Sequence, residues 1–317
     1  METHKNNVLR DNELFCRVNP NSGNSKGRIW DEISAYLTEK NINFGCYLTK
    51  SANDAVNAIP QILRQGHRNL IVLGGDGTTN EVVNGIFSQT EVPYSEICLG
   101  SIPQGTANDW NRYYGWENDY KVSIERLLKH DITKQDVGVV TFTENGERRT
   151  KYFINSIGFG FDAEIVKMTN ELSHEQRGKE ITYLLSLLKC LLKCKKRNVS
   201  IEAEDFKFSG KVLSISIANG KFSGGGMQQT PEAIINDGAY DISIFGDIGK
   251  FFVIRNVSKL YNSTIKQIKN KNVVFARTEN SIKVTYECPT FAETDGEIIG
   301  DSPYEISMIK GGLNVID

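Results

Sequence analysis

The chain has 317 residues, 39% of them hydrophobic, and its 37 basic and 39 acidic side chains give a formal net charge of −2. This balance argues against general nucleic-acid binding, and no stretch approaches the ~20 apolar residues of a membrane-spanning helix. The six cysteines include no C-x-x-C pair and the four histidines show no metal-ligand spacing, so we expect reduced thiols and no zinc site. Residues 1–7 have no apolar segment behind them, which predicts a cytoplasmic protein without a signal peptide.

The first third of the chain alternates strand-like and helix-like segments. The apolar pattern predicts strands over residues 14–18, 44–48, 70–73 and 97–102. Helical spacing lies between them, over residues 29–39 and 55–62. This order predicts an α/β domain with a parallel sheet covered by helices on both faces.

Beyond residue 136 the pattern becomes β-rich, with polar turns between short apolar runs. Predicted strands cover residues 137–143, 152–156, 199–203, 212–218, 239–245 and 281–286. We therefore predict a nucleotide-binding type of α/β domain over residues 1–136 and an antiparallel β-sandwich domain over residues 137–299.

A separate amphipathic helix is predicted between Lys179 and Lys196. Its apolar stripe is formed by Ile181, Leu184, Leu185, Leu188, Leu191 and Leu192. Basic residues cluster at its end: Lys189, Lys193, Lys195, Lys196 and Arg197. Two interpretations remain open. The helix packs on the β domain with its basic end complementing the helix dipole, or it lies on a membrane surface with its cations facing anionic headgroups.

Residues 74–79 follow the apolar strand 70–73 and contain three glycines, one acid and two threonines, and a helical pattern that includes Asn80 and Glu81 comes next. Glycines permit close backbone approach, and the N-terminus of the following helix offers N–H groups to phosphate. Asp76 would repel a phosphate unless Mg²⁺ lies between them. The segment therefore favours a Mg²⁺–triphosphate site, with an ordinary tight turn as the alternative.

Two further polar loops follow predicted strands. Residues 19–24 come after the first strand, and residues 103–110 come after the fourth strand. Ligands of open α/β sheets bind at the carboxyl edge of the strands, so these loops and residues 74–81 are expected at one edge. Helix capping by Asn108 and Asp109 is the alternative for the second loop.

The second half contains two acidic turns. Asp237 offers a hard oxygen ligand suited to Mg²⁺, although Asp-Gly is also a common turn signal. In extended backbone, Asp295 and Glu297 would point the same way. That arrangement suits an acid–base pair linked to a metal, with a solvated turn as the alternative.

Taken in chain order, five elements resemble the diacylglycerol kinase catalytic-domain family, in particular its soluble bacterial lipid kinases. The elements are residues 19–23, residues 74–81, residues 103–109, the Asp237-Gly238 turn and residues 295–297. The glycine–aspartate–glycine element also occurs in NAD kinases and phosphofructokinases, whereas the ordered set of five is more specific. The resemblance implies a two-domain fold in which residues 300–317 return to complete the α/β domain.

The resemblance also implies roles for individual residues. Asp295 would be the general base toward a lipid hydroxyl, and Asp76 and Asp109 would join a water–Mg²⁺ network. A structural Mg²⁺ would be bound by Asp237 and by the carbonyl groups of Ile234 and Ala239. The implied ATP-binding residues are Asn19, Pro20, Asn21, Ser22, Gly23, Thr49, Gly74, Gly75, Asp76, Gly77, Thr78, Asn80, Glu81, Gly105, Thr106 and Glu297.

The expected activity is an ATP- and Mg²⁺-dependent transfer of phosphate to a lipid hydroxyl. Diacylglycerol is the family default, and monoacylglycerol, a sphingoid base, ceramide and phosphatidylglycerol remain open. A lipid substrate implies peripheral contact at the inner membrane face, for which the helix from Lys179 to Arg197 is the candidate. No nucleic acid is expected, and the sequence leaves the oligomeric state open, a homodimer included.

Two other functions remain as alternatives. An NAD kinase-like phosphotransferase would share the glycine-rich loop but would not explain residues 19–23, 103–109 and 295–297 together. A catalytically silent nucleotide- or lipid-binding regulator would need none of the acids, all of which are present.

Overall fold

The computed structural model of the protein describes residues 13–18, 28–49, 51, 53–170 and 180–317. The chain divides into two compact units. The first, here called the α/β unit, comprises residues 1–105, 114–133 and 313–317. The second, here called the β-rich unit, comprises residues 106–113 and 134–312. Residues 106–113 were predicted in the α/β domain but belong to the β-rich unit. Of the segment 300–317 that was expected to complete the α/β domain, residues 313–317 belong to the α/β unit.

Within the described residues, helices alternate with strands in the first third and strands dominate the rest. The helices are α1 (Arg28–Glu39), α2 (Asp54–Arg64), α3 (Asp76–Phe87), α4 (Asp109–Tyr113), α5 (Tyr120–Lys129), α6 (Phe161–Asn170), α7 (Glu180–Lys193) and α8 (Lys250–Asn256). Short 3-10 helices cover Tyr94–Glu96, Val257–Leu260 and Ile265–Gln267. The strands are β1 (Glu13–Val18), β2 (Asn43–Leu48), β3 (Asn69–Gly74), β4 (Cys98–Pro103), β5 (Ile132–Glu144), β6 (Glu147–Phe153), β7 (Ser156–Gly160), β8 (Arg197–Glu202), β9 (Lys207–Val212), β10 (Ser214–Ala218), β11 (Tyr240–Phe245), β12 (Val273–Thr278), β13 (Ile282–Tyr286), β14 (Phe291–Thr294) and β15 (Glu297–Ile316).

The α/β unit contains a parallel sheet with the strand order β4–β3–β1–β2. The end of β15 adds to the edge of this sheet, where Asn314 and Val315 pair in parallel with Cys98 and Leu99. Every residue of β3 and β4 is buried, as expected for parallel strands that have helices on both faces. Helix α2 packs against α3, and α1 contacts α5. The predicted parallel α/β architecture is therefore confirmed.

The β-rich unit is built from antiparallel pairs. The order β12–β11–β10–β7–β14–β15 forms one run of strands, and β13, β8 and β9 extend from β15. Both groups contribute side chains to one apolar core. It includes Ile157, Phe159, Ile215, Ile217 and Ile242 from the first group, Val199, Ile201 and Val284 from the second, and Tyr304 and Ile306 from β15, which pairs with both groups. A common core between two groups of strands is what a sandwich requires, so the predicted β-sandwich domain is also confirmed.

A second apolar cluster of this unit lies under α7 and α8. Leu191 and Cys194 are buried in it at the end of α7, together with Leu213, Ile248 and Ile265. The end of α7 therefore packs on the β-rich unit, as the first interpretation of this helix requires. The side chains of residues 180–186, which include Ile181, Leu184 and Leu185 of the predicted stripe, and Lys179 itself lie outside the described residues. In the part of the chain that the structure describes, no helix has the length and hydropathy needed to cross a bilayer.

Candidate functional site

The glycine-rich turn of the α/β unit is a direct transition from strand to helix. Strand β3 ends at Gly74, Gly75 is the N-cap residue, and α3 begins at Asp76. The first turn of α3 therefore follows the carboxyl end of a buried parallel strand directly. This is the position at which the positive end of a helix dipole favours phosphate.

Glycine is needed at position 74 because the Thr78 side chain lies close to its Cα atom. A Cβ added at Gly74 would stand 2.6 Å from Thr78 Oγ1 and 2.7 Å from Thr78 Cβ. Such distances leave no room for a side chain. The Thr78 side chain, which is 7% exposed, thus folds back over the end of β3, and the first turn of α3 is held close to the sheet.

Other predicted ATP-binding residues of this turn also support the fold. Asn80 accepts hydrogen bonds from Asn84 Nδ2 through its carbonyl group, at 2.9 Å, and through its side chain, at 3.1 Å. Glu81 Oε1 accepts one from the N–H of Asn53 at 3.0 Å, at the beginning of α2. The contacts of Asn80 lie within α3, and the contact of Glu81 joins α3 to the start of α2, so both residues have structural partners.

The predicted polar loops come together at one sheet edge as far as the structure describes them. The N–H of Gln104 donates to the carbonyl oxygen of Gly74 at 2.9 Å, which joins the loops that follow β4 and β3. Thr49, 7% exposed, follows β2 at the same edge. Val18 pairs with Leu73, so the loop that begins at residue 19 also leaves β1 there. Its members Asn19, Pro20, Asn21, Ser22 and Gly23 lie outside the described residues.

Asp109 is the first residue of the short helix α4 and belongs to the β-rich unit. Its Oδ2 accepts a hydrogen bond from the N–H of Gly225 at 2.8 Å, and its Oδ1 accepts one from Gly226 at 2.6 Å. Arg112 Nε lies 4.0 Å from Oδ1. Asp109 therefore holds the glycine loop 224–226, and its membership of a Mg²⁺ network stays a prediction, as do the roles of Gly105 and Thr106.

Asp295 lies in the turn that joins β14 to β15. Asp295 has φ +48° and Gly296 has φ +87°, so the turn is left-handed at both central residues, as in a two-residue hairpin. The expectation that Asp295 and Glu297 share a face of extended backbone is therefore wrong. The turn is not a solvated one either, because Asp295 is only 9% exposed.

The Asp295 carboxylate is held by three consecutive backbone N–H groups. Oδ2 accepts from Ile154 at 2.8 Å, and Oδ1 accepts from Asn155 at 2.9 Å and from Ser156 at 3.1 Å. These N–H groups are available because β6 ends at Phe153 and β7 begins at Ser156, whereas the sequence predicted one strand over residues 152–156. Three N–H donors stabilise negative charge on the carboxylate and fix its orientation.

A buried chain of hydrogen bonds leads to this carboxylate from α4. Trp110 Nε1 donates to Gln135 Oε1 at 2.8 Å, and Gln135 Nε2 donates to the carbonyl oxygen of Ile154 at 2.9 Å. Trp110 and Gln135 are fully buried. Gln135 was missed from the sequence; its amide near the start of β5, just before the predicted apolar strand, is the signal that indicates an internal partner.

Glu293 is a second carboxyl group next to Asp295 that sequence reasoning missed. It is 7% exposed and lies against Gly158 of β7, where an added Cβ would stand 2.3 Å from Glu293 Oε1. Burial raises the pKa of Glu293 to about 8, and the charges of Asp162, Asp295 and Glu297 act in the same direction. At neutral pH this carboxyl group is therefore mostly protonated.

Asp162, at the start of α6, completes the acidic group. Burial raises its pKa to about 6, while hydrogen bonds from Gln229 and Ser214 oppose that shift. Gln229 Nε2 donates to Asp162 Oδ2 at 2.9 Å. Two carboxyl groups with raised pKa values beside an N–H-bound carboxylate are typical of a functional site, because such sites hold acids in different protonation states.

The predicted structural Mg²⁺ ligands are arranged differently. Asp237 Oδ2 accepts a charge-assisted hydrogen bond from Arg277, and Asp237 Oδ1 accepts one from the N–H of Ala239 at 3.2 Å. Ile234 is 43% exposed and Ala239 is buried. In the described part of the chain no three His, Cys, Asp or Glu side chains are grouped to hold a metal ion. A guanidinium group already neutralises Asp237, so these residues, as arranged, do not fit a bound cation.

Family models match both halves of the chain. The "Diacylglycerol kinase catalytic domain" matches residues 14–140, and the "YegS C-terminal NAD kinase beta sandwich-like domain" matches residues 155–317. The second match alone covers about half of the chain. Both descriptions agree with the observed α/β unit and β-rich unit.

Curated relatives resemble the chain over most of its length. A "Probable lipid kinase YegS-like" of Klebsiella pneumoniae is 33% identical over 277 residues, which are 87% of this chain and 87% of that protein. A protein of the same description from Alcanivorax borkumensis is 27% identical over 269 residues, 84% of this chain and 85% of that one.

Solved structures share the fold. A putative diacylglycerol kinase from Bacillus anthracis str. Sterne superposes with a TM-score of 0.77 at 22% identity, covering 96% of this chain and 95% of that chain. Yeast NADH kinase in complex with NADH gives a TM-score of 0.53 at 10% identity, covering 96% and 82%. The family matches and the Klebsiella relative show that this chain belongs to the diacylglycerol kinase catalytic-domain family of YegS-like lipid kinases and is therefore a phosphotransferase.

Proposed function

We propose that the protein transfers the γ-phosphate of ATP, supplied as its Mg²⁺ complex, to the hydroxyl group of diacylglycerol or a related lipid. The observation that carries this proposal is the Asp295 carboxylate, buried and held by the N–H groups of Ile154, Asn155 and Ser156. In a chain of this family, a fixed carboxylate of this kind supplies what phosphate transfer to an alcohol needs, a positioned acceptor for the hydroxyl proton.

The phosphate groups are proposed to bind at the N-terminus of α3. The positive end of its helix dipole favours anions, and Gly74 lets the helix begin close to the strand. When bound with ATP, Mg²⁺ would supply positive charge that offsets the charge of the phosphate groups. Asp76, the first residue of α3, is the proposed side chain near that ion.

Asp295 is proposed to accept the proton of the lipid hydroxyl. The hydroxyl oxygen then forms a bond to the γ-phosphorus while the bond from that phosphorus to the β–γ bridging oxygen breaks, and ADP leaves with the electron pair. Positioning and charge neutralisation supply most of the rate enhancement of such transfers. A carboxylate whose orientation is fixed by three backbone groups needs little reorganisation for this step.

A second candidate acceptor is the ribose hydroxyl of NAD or NADH. The observation that favours it is the likeness to the fold of yeast NADH kinase, at a TM-score of 0.53. At 10% identity this likeness concerns the fold alone, whereas the Klebsiella pneumoniae relative described as a probable lipid kinase is 33% identical over most of the chain.

A panel of acceptors separates these functions. The full chain is incubated with Mg²⁺ and ATP labelled at the γ-position, with diacylglycerol, monoacylglycerol, a sphingoid base, ceramide or phosphatidylglycerol in mixed micelles, and with NAD and NADH in solution. We expect label in one or more lipids and none in the dinucleotides. Label in NAD or NADH alone would contradict the proposal, as would ATP binding without transfer to any acceptor.

Phosphorylation of a lipid also implies contact with a membrane, so we propose a peripheral location at the inner membrane face. The helix ending in Lys193 and the basic residues up to Arg197 are the proposed contact. The same acceptor experiment tests the use of Mg²⁺ and ATP, and transfer to a lipid would support this location.

A further inference from the structure

Two segments of the β-rich unit carry many basic side chains and no acidic one. Residues 187–197 contain five lysines and arginines, residues 248–271 contain six, and neither segment has an aspartate or glutamate. The remainder of the chain has 26 basic and 39 acidic residues. Although the protein is slightly anionic as a whole, these two segments are therefore strongly cationic.

Among the described residues, three of these eleven cationic side chains have an acidic partner. Lys196 pairs with Asp247 at 2.5 Å, Arg197 lies 3.9 Å from Glu164, and Lys266 pairs with Glu232. Across the described residues, no acidic side chain forms an ion pair with Lys193, Lys195 or Arg255, all of which are exposed. These side chains can interact with an external anion.

Helices α7 and α8 present apolar side chains outward as well as inward. Leu191 of α7 and Phe252 of α8 pack into the apolar cluster beneath them. Their neighbours Leu192 and Phe251 are 63% and 76% exposed, and Ile254, one turn after Phe251, is 44% exposed. Burial in the β-rich unit therefore accounts for one side of each helix and leaves the other apolar side uncovered.

The uncovered sides of the two helices are adjacent. Lys250 Nζ donates a hydrogen bond to the carbonyl oxygen of Leu192, and Phe251 follows Lys250 directly. The exposed end of α7 and the exposed beginning of α8 therefore lie together in one part of the surface.

We propose that this part of the surface, the α7–α8 patch, docks the protein on an anionic phospholipid bilayer. The patch is formed by Leu192, Phe251 and Ile254, with Lys193, Lys195 and Arg255 as its cations. The inference deepens the proposed function, because a lipid acceptor is met at a membrane, and it adds α8 to the helix that the sequence suggested.

The chemistry of the patch favours a bilayer over another polyanion. Apolar side chains enter the boundary between headgroups and acyl chains, while lysine and arginine remain at the anionic headgroups. A nucleic acid would use the cations but would leave an exposed phenylalanine and isoleucine without a partner. The combination of both groups in one place is what an interfacial membrane site requires.

Vesicle co-sedimentation of the full chain without nucleotide tests the patch. The vesicles contain phosphatidylcholine alone or phosphatidylcholine with phosphatidylglycerol. Each cation near such a surface adds about a fivefold increase in partitioning, so we expect Lys193→Gln/Lys195→Gln to bind the anionic vesicles about 30-fold more weakly. The matched control Lys207→Gln/Lys283→Gln removes two exposed lysines on β9 and β13 and should change binding less than about twofold.

The apolar contribution has its own matched pair. Ile254→Ser removes a side chain that is 44% exposed, and Ile132→Ser removes one that is 43% exposed at the start of β5. We expect the double variant Phe251→Ser/Ile254→Ser to weaken vesicle binding roughly tenfold or more. The control Ile132→Ser should have no effect. Equal loss in the test and control variants would overturn the proposal. So would equal binding of the parent chain to neutral and anionic vesicles, or loss through the lysines alone with Phe251→Ser/Ile254→Ser unchanged, which would indicate a general polyanion site.

This experiment is separate from the test of the proposed function. Binding is measured without ATP or turnover, so the test of the patch depends only on partitioning between vesicles and solution. A parent chain that binds anionic vesicles through the patch but labels only NAD would contradict the lipid kinase function and not the docking surface. The converse result, lipid phosphorylation with no difference between test and control variants, would contradict the patch alone.

Discussion

Glu293 Oε2 accepts a hydrogen bond of 2.8 Å from the N–H of Gly296, the residue that follows Asp295 in the turn between β14 and β15. Burial raises the pKa of Glu293 to about 8. A mostly neutral carboxyl group therefore supports the turn near pH 7 without placing a full second negative charge beside the candidate base.

Glu293→Gln is expected to change the pH dependence of stability. The folded protein keeps the Glu293 proton between the ordinary pKa of 4.5 and about 8, while the unfolded chain releases it, so wild-type stability falls as pH rises through that window. Glutamine does not titrate and keeps an oxygen acceptor for Gly296. The variant should gain up to about 5 kcal/mol relative to wild type by about pH 9, and little at about pH 4. Urea unfolding across this range measures the difference, and parallel curves for both proteins would contradict the assignment.

Asp109→Ala is expected to loosen the glycine loop 224–226. The variant removes the acceptor of the hydrogen bonds from Gly225 and Gly226, each made to a charged group and therefore stronger than a neutral one. Hydrogen exchange at these two amides should speed up about tenfold or more in nucleotide-free protein. Asp119→Ala, which removes an acceptor for the N–H of Lys121, is the control. Unchanged exchange at Gly225 and Gly226 would show that Asp109 does not hold this loop.

Gly74→Ala is expected to destabilise the protein and weaken ATP binding together. The new methyl group would stand 2.6 Å from Thr78 Oγ1, so Thr78 and the first turn of α3 must shift. Overpacking of this kind costs about 1–3 kcal/mol. Gly249→Ala is the matched control, because no atom lies within 4 Å of its added Cβ. Denaturant unfolding and ATP titration measure both effects, and equal behaviour of the two variants would contradict the close approach at Gly74.

Removal of Mg²⁺ is expected to leave the nucleotide-free protein as stable as before. The Asp237 carboxylate already pairs with the Arg277 guanidinium, which supplies the positive charge that a structural ion would otherwise provide. Thermal unfolding with EDTA and with excess Mg²⁺ should give the same Tm. A Tm that falls with EDTA, recovers with Mg²⁺ and loses this response in Asp237→Asn would instead establish an ion at Asp237 that displaces Arg277.

The α/β architecture could be predicted because its signals are local. Strands β3 and β4 are buried at every position, and their sequences are mainly apolar and end at Gly74 and Pro103. The observed bounds differ from the predicted ones by one residue at each end of β3. The edge shared by the polar loops follows from parallel pairing alone.

The β-rich unit was predicted less completely, because its strands depend on distant partners. Strands β7, β9, β12, β14 and β15 were not predicted as separate strands, and neither α6 nor α8 was predicted. Strand β14 has four residues, too few for a periodic pattern, and it exists because β7 and β15 pair with it on either side. The interruption between β6 and β7 at Ile154 and Asn155 also depends on a distant partner, because the N–H groups of both residues donate to the Asp295 carboxylate.

The candidate site was also predicted only in part, because the positions of its single residues depend on contacts that are distant in the sequence. The Asp-Gly-Glu pattern identified Asp295, but the N–H groups that hold it come from residues about 140 positions earlier in the chain. Spacing along a sequence contains no information about such a contact. Glu293 was missed for a related reason, since its burial depends on the absence of a side chain at Gly158 on the neighbouring strand.

Asp295→Asn tests the central claim most directly. The amide group cannot accept hydrogen bonds at both atoms, so one of the N–H groups of Ile154, Asn155 and Ser156 must face an NH₂ donor, at a cost of about 1–3 kcal/mol of stability. Unfolding curves establish that the variant is folded, and ATP titration establishes its nucleotide affinity. The decisive measurement is kcat for transfer of labelled γ-phosphate to the lipid acceptor. With Asp295 as the base, kcat should fall about 10²–10⁴-fold, while the Kd for ATP stays within about twofold. A folded variant that transfers phosphate to lipid at the wild-type rate would contradict the account.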